Sequence, residues 1–390
     1  MKLVQLNKGR EKTVINRHPW IFSGAIKNIP EEISSGQIIQ VVDNQSQLLG
    51  YGFFSKESQI SVRVFEFTHL PISIDENYWW NKWEKIWNFK KSLLNKETNA
   101  FRFIHAEGDQ MPGLIVDIYN HTAVIQTLTA GTYQLLPLLQ KFLYSRNIFN
   151  HYEKSDTKVL KKEGITPRKG WLTEKINDIW FQENGISFYC DVEEGQKTGF
   201  FLDQKNNRAL VGSLSKNKIV ANIFAYSGGF SLYALKNHAK KVISVDSSQR
   251  AIHILEKNIE KNFGKLTNHV SVVADAFEWL KNMPENEIDL VILDPPAFAK
   301  HQSAVGQAYR GYKEINLQAI KKIISGGYLF TYSCSQVVGL ELFRKILFDA
   351  ACDANRPVRI LQMLGQSEDH ASSLFHLEGD YLKGFWLQIE

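Results

Sequence analysis

The stretch KIVANIFAYSGGFSLYALKNHAKKVISVD, residues 218–246, decides the fold class of this chain of 390 residues. An apolar run of β type, residues 218–224, is followed by a Gly-Gly turn, a helical segment and a second apolar run, residues 241–246, that ends at Asp246. Such alternation is typical of a parallel sheet with helices on both faces. It continues in three further runs, at 269–274, 289–293 and 327–332. The sequence therefore predicts an α/β, doubly wound domain over 186–390.

The N-terminal half has a different pattern. Short β-type runs such as 37–42 and 59–67, separated by Gly, Asn, Asp and Ser clusters, predict a small β-rich domain over 1–72. A helix is then indicated by tryptophans near helical spacing, namely Trp79, Trp80, Trp83 and Trp87. We interpret this stripe as core rather than as a base-stacking platform. Strand-like runs follow the helix, so residues 73–185 are predicted to form a middle α+β domain.

Composition limits the class of protein. Hydrophobic residues make up 44% and charged residues 22% of the chain, which is the balance of a globular protein. The net charge of +5 permits a basic face for a phosphate backbone. Three cysteines without a CxxC pair indicate neither a disulfide framework nor a metal site. With no apolar run long enough for a membrane span and a polar N-terminus, we expect a cytoplasmic protein without membrane contact.

Ligands of a doubly wound sheet bind beyond the carboxyl ends of its strands, so the residues after each strand are the candidates for a site. After the first strand, the segment Phe224 to Phe230 contains two glycines that allow close backbone approach to a ligand. The amino end of the following helix offers unpaired N–H groups. A Gly-Gly turn also needs no ligand, and the spacing of dinucleotide-binding loops is absent, so both interpretations stay open.

Acidic residues follow the next two strands. Asp246, with Ser247 after it, can accept hydrogen bonds from both hydroxyls of a ribose, and an Asp-Ser pair can equally cap a helix. Asp275, with Ala276 after it, stands where an acid can meet an adenine amino group, although such a motif is ordinary by itself. The two positions together indicate the ribose and the adenine of a cofactor.

The sharpest motif is Asp294-Pro295-Pro296, directly after the fourth apolar run. Two consecutive prolines fix an extended, rigid turn that keeps Asp294 aimed into the cleft. A purely structural proline stop is the alternative interpretation. At this strand and in this order, however, the motif favours a nucleic-acid methyltransferase.

Cys334 follows the fifth strand, at the same cleft edge as Asp294. Cytosine C5 is a poor nucleophile, so an enzyme that methylates it needs a thiolate that adds to C6 and lets C5 attack a sulfonium methyl. A carboxylic acid near N3 would stabilise the adduct by donating or sharing a proton. A small buried core cysteine is the alternative. The pairing with Asp294 favours the nucleophile.

These motifs and others resemble, over essentially the whole chain, the PUA-domain 23S ribosomal RNA 5-methylcytosine methyltransferases. The segments that carry the resemblance are Lys8 to Lys12, Arg17 to Gly24, Gly195 to Gln204, Phe224 to Phe230, Val245 to Ser248, Asp294 to Pro296, Arg310 to Lys313, Phe330 to Ser335 and Tyr381 to Phe385. The resemblance implies an N-terminal PUA RNA-binding domain and a C-terminal Rossmann-like class I methyltransferase fold on a seven-stranded, mainly parallel sheet. It also implies S-adenosylmethionine as cofactor, large-subunit ribosomal RNA as substrate, and a homodimer.

The family's functional residues map onto this sequence one by one. Cys334 would be the nucleophile and Asp294 would lie at the base. With the strand-end residues already discussed, the cofactor-binding candidates are Thr198, Phe200, Phe201, Phe224, Tyr226, Ser227, Gly228, Asp246, Ser247, Asp275 and Ala276. The RNA-facing candidates in the first domain are Arg17, His18 and Trp20.

A second set of RNA-binding candidates, Arg310 and Lys313, is interleaved with tyrosines beside the proposed cleft. The alternative there is a helix start with surface charges. The sequence departs from the family at Ala297, where close relatives are expected to have a lysine that contacts substrate. No cysteine follows Asp294-Pro295, so the base that removes the C5 proton is not identified.

The resulting hypothesis is formation of 5-methylcytidine in 23S ribosomal RNA through a covalent Cys334–C6 adduct. One alternative is methylation of a base amino group, in which Phe298 would hold the base and Cys334 would be idle. Another is a non-catalytic RNA-binding clamp. The four residues Asp246, Asp275, Asp294 and Cys334 argue against a clamp, because a non-catalytic fold has no physical need for all of them.

Overall fold

The computed structural model describes residues 1–29, 32–156 and 159–390. These residues group into two compact units. The first consists of Met1–Asn184, Cys190–Leu202 and Glu368–Gly379, and the second of Gly185–Tyr189, Asp203–Ser367 and Asp380–Glu390. Compactness does not show which segments fold by themselves, so the domain bounds 1–72, 73–185 and 186–390 stay predictions.

The first unit begins with a six-stranded sheet. Its strands are β1 (Lys2–Leu6), β2 (Trp20–Phe22), β3 (Ile26–Asn28), β4 (Ile38–Val42), β5 (Leu48–Phe54) and β6 (Ile60–Phe67). A one-turn helix, α1 (Lys12–Ile15), follows β1 in the chain. The spatial order is β2-β6-β5-β4-β1-β3, and β1 pairs with β4 in parallel. Alternate residues such as Val4, Ile39 and Val62 fill the core of this sheet.

A five-stranded sheet, in the order β11-β10-β9-β8-β7, occupies the rest of the first unit. Its strands are β7 (Ala100–His105), β8 (Leu114–Tyr119), β9 (Thr122–Thr127), β10 (Asn150–Ser155) and β11 (Arg168–Trp171). The helices of this part are α2 (Glu76–Ser92), α3 (Ala130–Gln134), α4 (Leu136–Ser145) and α5 (Val159–Lys162). The strand β12 (Trp180–Glu183) ends this part of the chain.

Helix α2 carries the tryptophan stripe. The Asp75 side chain caps it by accepting a hydrogen bond from the Tyr78 N–H at 2.9 Å. Trp79, Trp83 and Trp87 are buried in the core of the five-stranded sheet. The prediction that these rings are core residues is confirmed.

The second unit contains the seven-stranded sheet. Its strands are β14 (Ile219–Ile223), β15 (Lys241–Asp246), β16 (His269–Val273), β17 (Ile288–Leu293), β18 (Ile323–Ser333), β19 (Val358–Leu364) and β20 (Lys383–Ile389), and β13 (Ile186–Tyr189) precedes them. Its helices are α6 (Lys205–Ser213), α7 (Gly229–Lys236), α8 (Gln249–Phe263), α9 (Ala276–Asn282), α10 (Val305–Lys322) and α11 (Leu340–Ala354).

The strand order β16-β15-β14-β17-β18-β20-β19 gives a sheet whose first five strands are parallel. β20 runs antiparallel to both of its neighbours. The core lies between this sheet and its helices, with Val291, Ile315 and Phe343 among the buried side chains. The predicted α/β class with a seven-stranded, mainly parallel sheet is confirmed.

Candidate functional site

The carboxyl ends of the parallel strands meet in one row. Ile223 at the end of β14 pairs with Leu293 at the end of β17 and with Val245 on β15, and Leu293 pairs with Thr331 on β18. β14 and β17 are neighbours although they are distant in sequence, so the strand order reverses between them. A reversal of this kind forms the ligand crevice of doubly wound sheets. The candidate residues after these strands lie along that crevice.

The loop after β14 has an unusual backbone. Phe224 and Tyr226 have φ angles of 64° and 48°, in the left-handed region. This conformation costs a non-glycine residue roughly 1–3 kcal/mol and persists only where the surroundings impose it. Here the Ala225 N–H donates to the Val245 carbonyl at 2.9 Å, and the Tyr226 N–H donates to Asp246 Oδ2 at 2.8 Å. Strain held in place by strand-end contacts favours a ligand-binding loop over a simple turn.

The next two residues of this loop support the same interpretation. Gly228 has a φ of 84°, and a Cβ there would lie 2.7 Å from Leu255 Cγ, so the position requires glycine. The Ser227 carbonyl accepts a hydrogen bond from Asn258 Nδ2 at 2.9 Å. The Ser227 hydroxyl is buried and has no partner among the described residues. A buried hydroxyl without a partner is costly, and a bound ligand would satisfy it.

Asp246 holds the loop rather than capping a helix. Its Oδ1 accepts a hydrogen bond from the Ser248 N–H at 2.9 Å, and its Oδ2 accepts the bond from Tyr226. The cap of α8 is Ser248, whose hydroxyl accepts from the Ala251 N–H at 3.2 Å, and Ser247 is exposed. Each carboxylate oxygen can accept a further bond, so Asp246 can still bind two ribose hydroxyls.

Asp275 caps a helix, a role that was not predicted for it from the sequence, and keeps one oxygen for its predicted contact with adenine. It is the N-cap of α9, and its Oδ1 accepts from the Phe277 N–H at 2.9 Å and from the Glu278 N–H at 3.1 Å. Its Oδ2 has no partner among the described residues and the side chain is exposed. Ala276 beside it is buried. The capping oxygen fixes the side chain while the other oxygen can accept an amino group.

Asp294 is an acid with a perturbed pKa. Burial is the main reason that its pKa is raised to about 7, and the nearby charge of Asp203 raises it further. A hydrogen bond from Gln204 Nε2 to Asp294 Oδ2, at 3.0 Å, and the charge of Arg208 act in the opposite direction. At neutral pH a large fraction of Asp294 is therefore protonated and can donate a proton.

The surroundings of Asp294 are themselves fixed by hydrogen bonds. The Tyr381 hydroxyl donates to Asp203 Oδ2 at 2.6 Å, and Asn207 Nδ2 donates to Gln204 Oε1 at 2.6 Å. The hydroxyl of Tyr332 is buried and has no partner among the described residues, and burial with the charge of Asp294 raises its pKa well above the usual range. The acid thus lies among side chains that hydrogen bonds hold in place.

The thiol of Cys334 lies against the turn that carries Asp294. Its Sγ is 3.9 Å from the Pro295 carbonyl oxygen, within hydrogen-bond reach for sulfur, and the side chain is partly buried. The Tyr312 and Ser335 hydroxyls are 3.1 Å apart just beyond it. The fold therefore brings together the cysteine and the acid that the sequence placed at one cleft edge.

Phe298 has a packing role in this structure. Its ring centroid is 4.5 Å from that of the fully buried Tyr312 and 5.9 Å from that of Phe277. A Cβ on Gly311 would lie 3.1 Å from the same ring, so α10 passes close to it. Phe298 is partly buried, and because its ring already packs against two aromatic side chains, it is less available as a platform for a flipped base.

Comparison with known proteins gives the family. A PUA-like domain model matches residues 4–67, and a model of S-adenosylmethionine-dependent methyltransferases matches residues 162–355. The ribosomal RNA large subunit methyltransferase I of Tolumonas auensis is 38% identical over 391 residues, and that of Yersinia pseudotuberculosis is 36% identical over 390 residues. Each alignment covers 98% of both chains. The chain belongs to the ribosomal RNA large subunit methyltransferase I family.

Solved structures agree with this family in fold. A protein assigned as a methyltransferase and solved in complex with SAH has a TM-score of 0.83 at 22% identity, with 100% of both chains covered. A protein of Streptococcus mutans assigned as SAM-dependent has a TM-score of 0.81 at 21% identity, again over 100% of both chains. The predicted PUA-like domain, methyltransferase fold and S-adenosylmethionine cofactor are confirmed.

The crevice residues fit this family's cofactor. Asp246 suits the ribose hydroxyls, Asp275 Oδ2 suits the adenine amino group, and the unpartnered Ser227 hydroxyl lies in the strained loop after β14. When bound, the cofactor supplies a methyl group on a sulfonium. The predicted contribution of the chain would be to hold that cofactor at the strand ends, in the crevice that Asp294 and Cys334 also border.

The remaining cofactor candidates, Thr198, Phe200 and Phe201, belong to the first compact unit. Thr198 is buried, and its hydroxyl donates to Asp117 Oδ2 at 2.6 Å. The Tyr119 hydroxyl is 3.0 Å from the same Thr198 oxygen. The hydroxyl of Thr198 is thus engaged within its own unit, so its predicted role in cofactor binding would rest on the backbone it fixes.

The RNA-facing candidates of the PUA-like domain lie on one small surface. Arg17 is exposed, and His18 and Trp20 are partly exposed. The Trp20 Nε1–H donates to Glu107 Oε1 at 2.8 Å, and its ring centroid is 4.6 Å from that of His376. These contacts hold the partly exposed Trp20 in one orientation, as a residue that stacks on a base requires.

Of the second pair of RNA-binding candidates, Arg310 is exposed on α10. Lys313 forms an ion pair with Asp353, with 2.7 Å between Nζ and Oδ2. An exposed ion pair of this kind contributes little to stability, so RNA can still compete for the lysine. Both residues stay predictions as RNA contacts.

Sequence reasoning assigned no role to Gln204 or Lys383, although both lie in segments that carried the resemblance. Gln204 bonds Asp294 across 90 residues of sequence, and Lys383 bonds the carbonyl of Ser335, next to Cys334. No local pattern in sequence reports such long-range partners. The signal available in the sequence was that Gln204 and Lys383 both lie in segments that resemble the family's motifs.

The described residues contain no group of three or more His, Cys, Asp or Glu side chains that could hold a metal ion. No described helix combines the length and apolarity required to cross a membrane.

Replacing Asp246 with alanine is expected to weaken S-adenosylmethionine binding by about tenfold or more, because the ribose loses its acceptor and the Tyr226 loop loses its anchor. Isothermal titration calorimetry measures this change. Asp289 is the matched control, since its Oδ2 also accepts a backbone N–H, that of Ile219 at 2.7 Å, but at the amino end of the sheet. An Asp246→Ala variant that binds as tightly as Asp289→Ala would exclude Asp246 from the site.

Proposed function

We propose that this protein methylates C5 of a cytosine in large-subunit ribosomal RNA, with Cys334 as nucleophile and Asp294 as the acid at the base. The observation that carries the proposal is the placement of the Cys334 thiol 3.9 Å from the Pro295 carbonyl, on the turn that begins at Asp294. The substrate class is supported by the relatives, which are named ribosomal RNA large subunit methyltransferases and align over 98% of the chain.

Cys334 and Asp294 would have separate roles in this reaction. The Cys334 thiolate forms a bond to C6 of the cytosine, and Asp294 donates its proton to N3, so the adduct carries no net negative charge on the ring. C5 then attacks the methyl carbon, and the bond from that carbon to the sulfonium sulfur breaks, which leaves a neutral thioether. The C5 proton passes to solvent and the S–C6 bond breaks, which regenerates the aromatic ring and the thiolate, and Asp294 recovers its proton from N3.

The raised pKa of Asp294 supports its part in this sequence. An acid whose pKa is about 7 exists in both forms at neutral pH, so it can donate a proton in the first step and accept one in the last. An ordinary exposed aspartate would be ionised at that pH and could not donate. Burial and the charge of Asp203 therefore tune Asp294 for proton exchange with a base.

Methylation of a base amino group is the competing reaction. It would use Phe298 as the stacking ring, but that ring packs against Tyr312 and Phe277. It would also leave the thiol without a function. The packing of Phe298 and the position of Cys334 both favour C5.

The RNA contacts are proposed for two surfaces. Arg17, His18 and Trp20 would bind RNA on the PUA-like domain, and Arg310 with Lys313 would do so on α10. Each combines a cation with an aromatic neighbour, which suits unpaired bases and their phosphates. The homodimer implied by the family resemblance stays a prediction.

Incubation with tritiated S-adenosylmethionine and unmodified large-subunit ribosomal RNA, followed by nucleoside analysis, tests the reaction. We expect label in 5-methylcytidine, and none when small-subunit ribosomal RNA replaces the substrate. Label in an amino-methylated nucleoside would establish the competing reaction instead. Cofactor binding without any labelled nucleoside on naked or ribosome-bound RNA would favour the non-catalytic clamp.

A further inference from the structure

A buried lysine lies beside the proposed nucleophile. Lys383 begins β20, where it pairs with Ser333 on β18, and only 8% of its surface is exposed. Its Nζ donates to the Ser335 carbonyl at 2.8 Å and to the Tyr381 carbonyl at 2.8 Å. Cys334 stands between the two β18-end residues, Ser333 and Ser335, that Lys383 contacts. The fold thus holds an ammonium group next to the thiol.

The burial of Lys383 is not explained by an ion pair. Among the described residues no carboxylate lies within ion-pair distance of its Nζ, and its two acceptors are neutral carbonyls. Burying an ammonium without a counter-charge is costly, and a lysine is rarely kept in such a place for packing alone. An ammonium has three N–H donors, of which the carbonyls use two. A thiolate at Cys334 would supply the absent counter-charge.

We propose that Lys383 is a positioning residue that stabilises the thiolate of Cys334 and so activates it for addition to C6. The proposal rests on the proposed function, since it assumes that Cys334 acts as a nucleophile. Chemically, the thiol proton leaves to solvent before the base is attacked, and the ammonium keeps all of its own protons. Lys383 therefore acts by its charge, without forming or breaking a bond.

The other titratable groups near the thiol do not replace this charge. Burial raises the pKa of Tyr312, so this residue is neutral at working pH. Asp294, whose pKa is about 7, is neutral below that pH and negative above it, so it supplies no positive charge at any pH. Asp380 is exposed, so solvent screens its effect on Lys383 and Cys334. Burial lowers the pKa of Lys383, whereas the charge of Cys334 raises it. The attraction between an ammonium and a thiolate stabilises both charged forms equally.

The experiment measures the reactivity of the Cys334 thiol directly, without RNA. Alkylation by iodoacetamide is followed from pH 5 to pH 10 in a Cys352→Ser background, because Cys352 is exposed and Cys190 is buried. Lys383→Gln removes the charge and keeps an N–H donor, whereas Lys383→Arg keeps the charge. Lys322→Gln is the matched control, since Lys322 is also 8% exposed and its Nζ also donates to a backbone carbonyl, that of Lys281.

We expect Lys383→Gln to raise the pH of half-maximal alkylation by about one unit and to slow alkylation at pH 7 about tenfold. Lys383→Arg and Lys322→Gln should stay close to the parent. An unchanged profile in a folded Lys383→Gln protein would overturn the proposal, as would an equal shift in Lys383→Arg. If Lys383→Gln does not fold, Lys383→Arg alone decides. A shifted alkylation profile in Lys383→Arg overturns the proposal, and an unshifted profile with retained methylation supports it.

The readout separates this proposal from the proposed function. Thiol alkylation depends on the charge beside Cys334 and on nothing about cytosine. If Cys334 proved dispensable for methyl transfer, the proposed function would fail while the shift in alkylation would still be measurable. If the shift were absent while Cys334 remained essential, only the role of Lys383 would fail.

Discussion

A Cys334→Ala variant is expected to lose methyl transfer to ribosomal RNA by about a thousandfold or more. The thiolate is what makes C5 nucleophilic, and removal of a covalent nucleophile leaves only the contributions of binding and orientation. Cofactor affinity should be unchanged, because Asp246, Asp275 and the loop after β14 are intact. The rate of tritium incorporation at saturating cofactor measures the first effect, and calorimetry measures the second.

Cys352→Ala is the matched control for this variant. Cys352 is exposed on α11, so its removal should leave the rate within about twofold of the parent. A Cys334→Ala protein that kept a tenth or more of the parent rate would exclude the covalent mechanism and support methylation of an amino group. Equal losses in both variants would indicate a general effect of cysteine removal rather than catalysis.

The fold of the second unit could be predicted because each of its strands has a local signal in the sequence. The prediction of 241–246 for β15 matches the structure, and 289–293 for β17 differs by one residue. Apolar runs in parallel strands are continuous, so their positions can be read without knowing their partners. The candidate residues followed from the rule that ligands bind at the carboxyl ends of such strands.

The start of β18 could not be predicted from the sequence in this way. The sequence placed its start at residue 327, but it begins at Ile323. Its first residues include Ser325, Gly326 and Gly327, which interrupt the apolar run, and the pairing with β17 is irregular between Ile288 and Leu290. Gly326 has a φ of 81°, which glycine allows at little cost. An irregular strand start of this kind depends on its partner strand and leaves no periodic signal.

The parts of the site that were missed share one physical cause. Gln204 and Lys383 act through contacts with residues 90 and 48 positions away, respectively. Lys154, although it lies in a polar, lysine-rich stretch, is buried, with its Nζ bonded to the carbonyls of Val192 and Gly195 at 2.8 and 2.6 Å. A solvated lysine in a basic stretch and a buried lysine bonded to carbonyls cannot be told apart in the sequence. Only the tertiary structure distinguishes them.

An Asp294→Asn variant is expected to lose methyl transfer by about a hundredfold or more. An amide can donate a hydrogen bond to N3 of the base, but it cannot transfer a proton, and general acid catalysis contributes about 10²–10⁴-fold. Gln204 can still bond the new side chain, because its Nε2–H can donate to the amide oxygen. The rate of label transfer measures the loss. Asp289→Asn, on the strand that ends just before Asp294, is the control and should keep most of the activity.

The same substitution should make the folded protein more stable above pH 7. The folded-state pKa of Asp294 is about 7 and the ordinary value is 3.8, so ionisation opposes folding. The penalty is absent below about pH 4, grows as the pH rises to 7 and is constant above it, with an upper limit of about 4 kcal/mol for a shift of this size. Asparagine carries no charge, so the variant should match the parent at pH 4 and melt at a higher temperature at pH 8. A melting temperature at pH 8 equal to or below that of the parent would show that the acid is not strained by burial, and its role as a proton donor at neutral pH would then lose its physical basis.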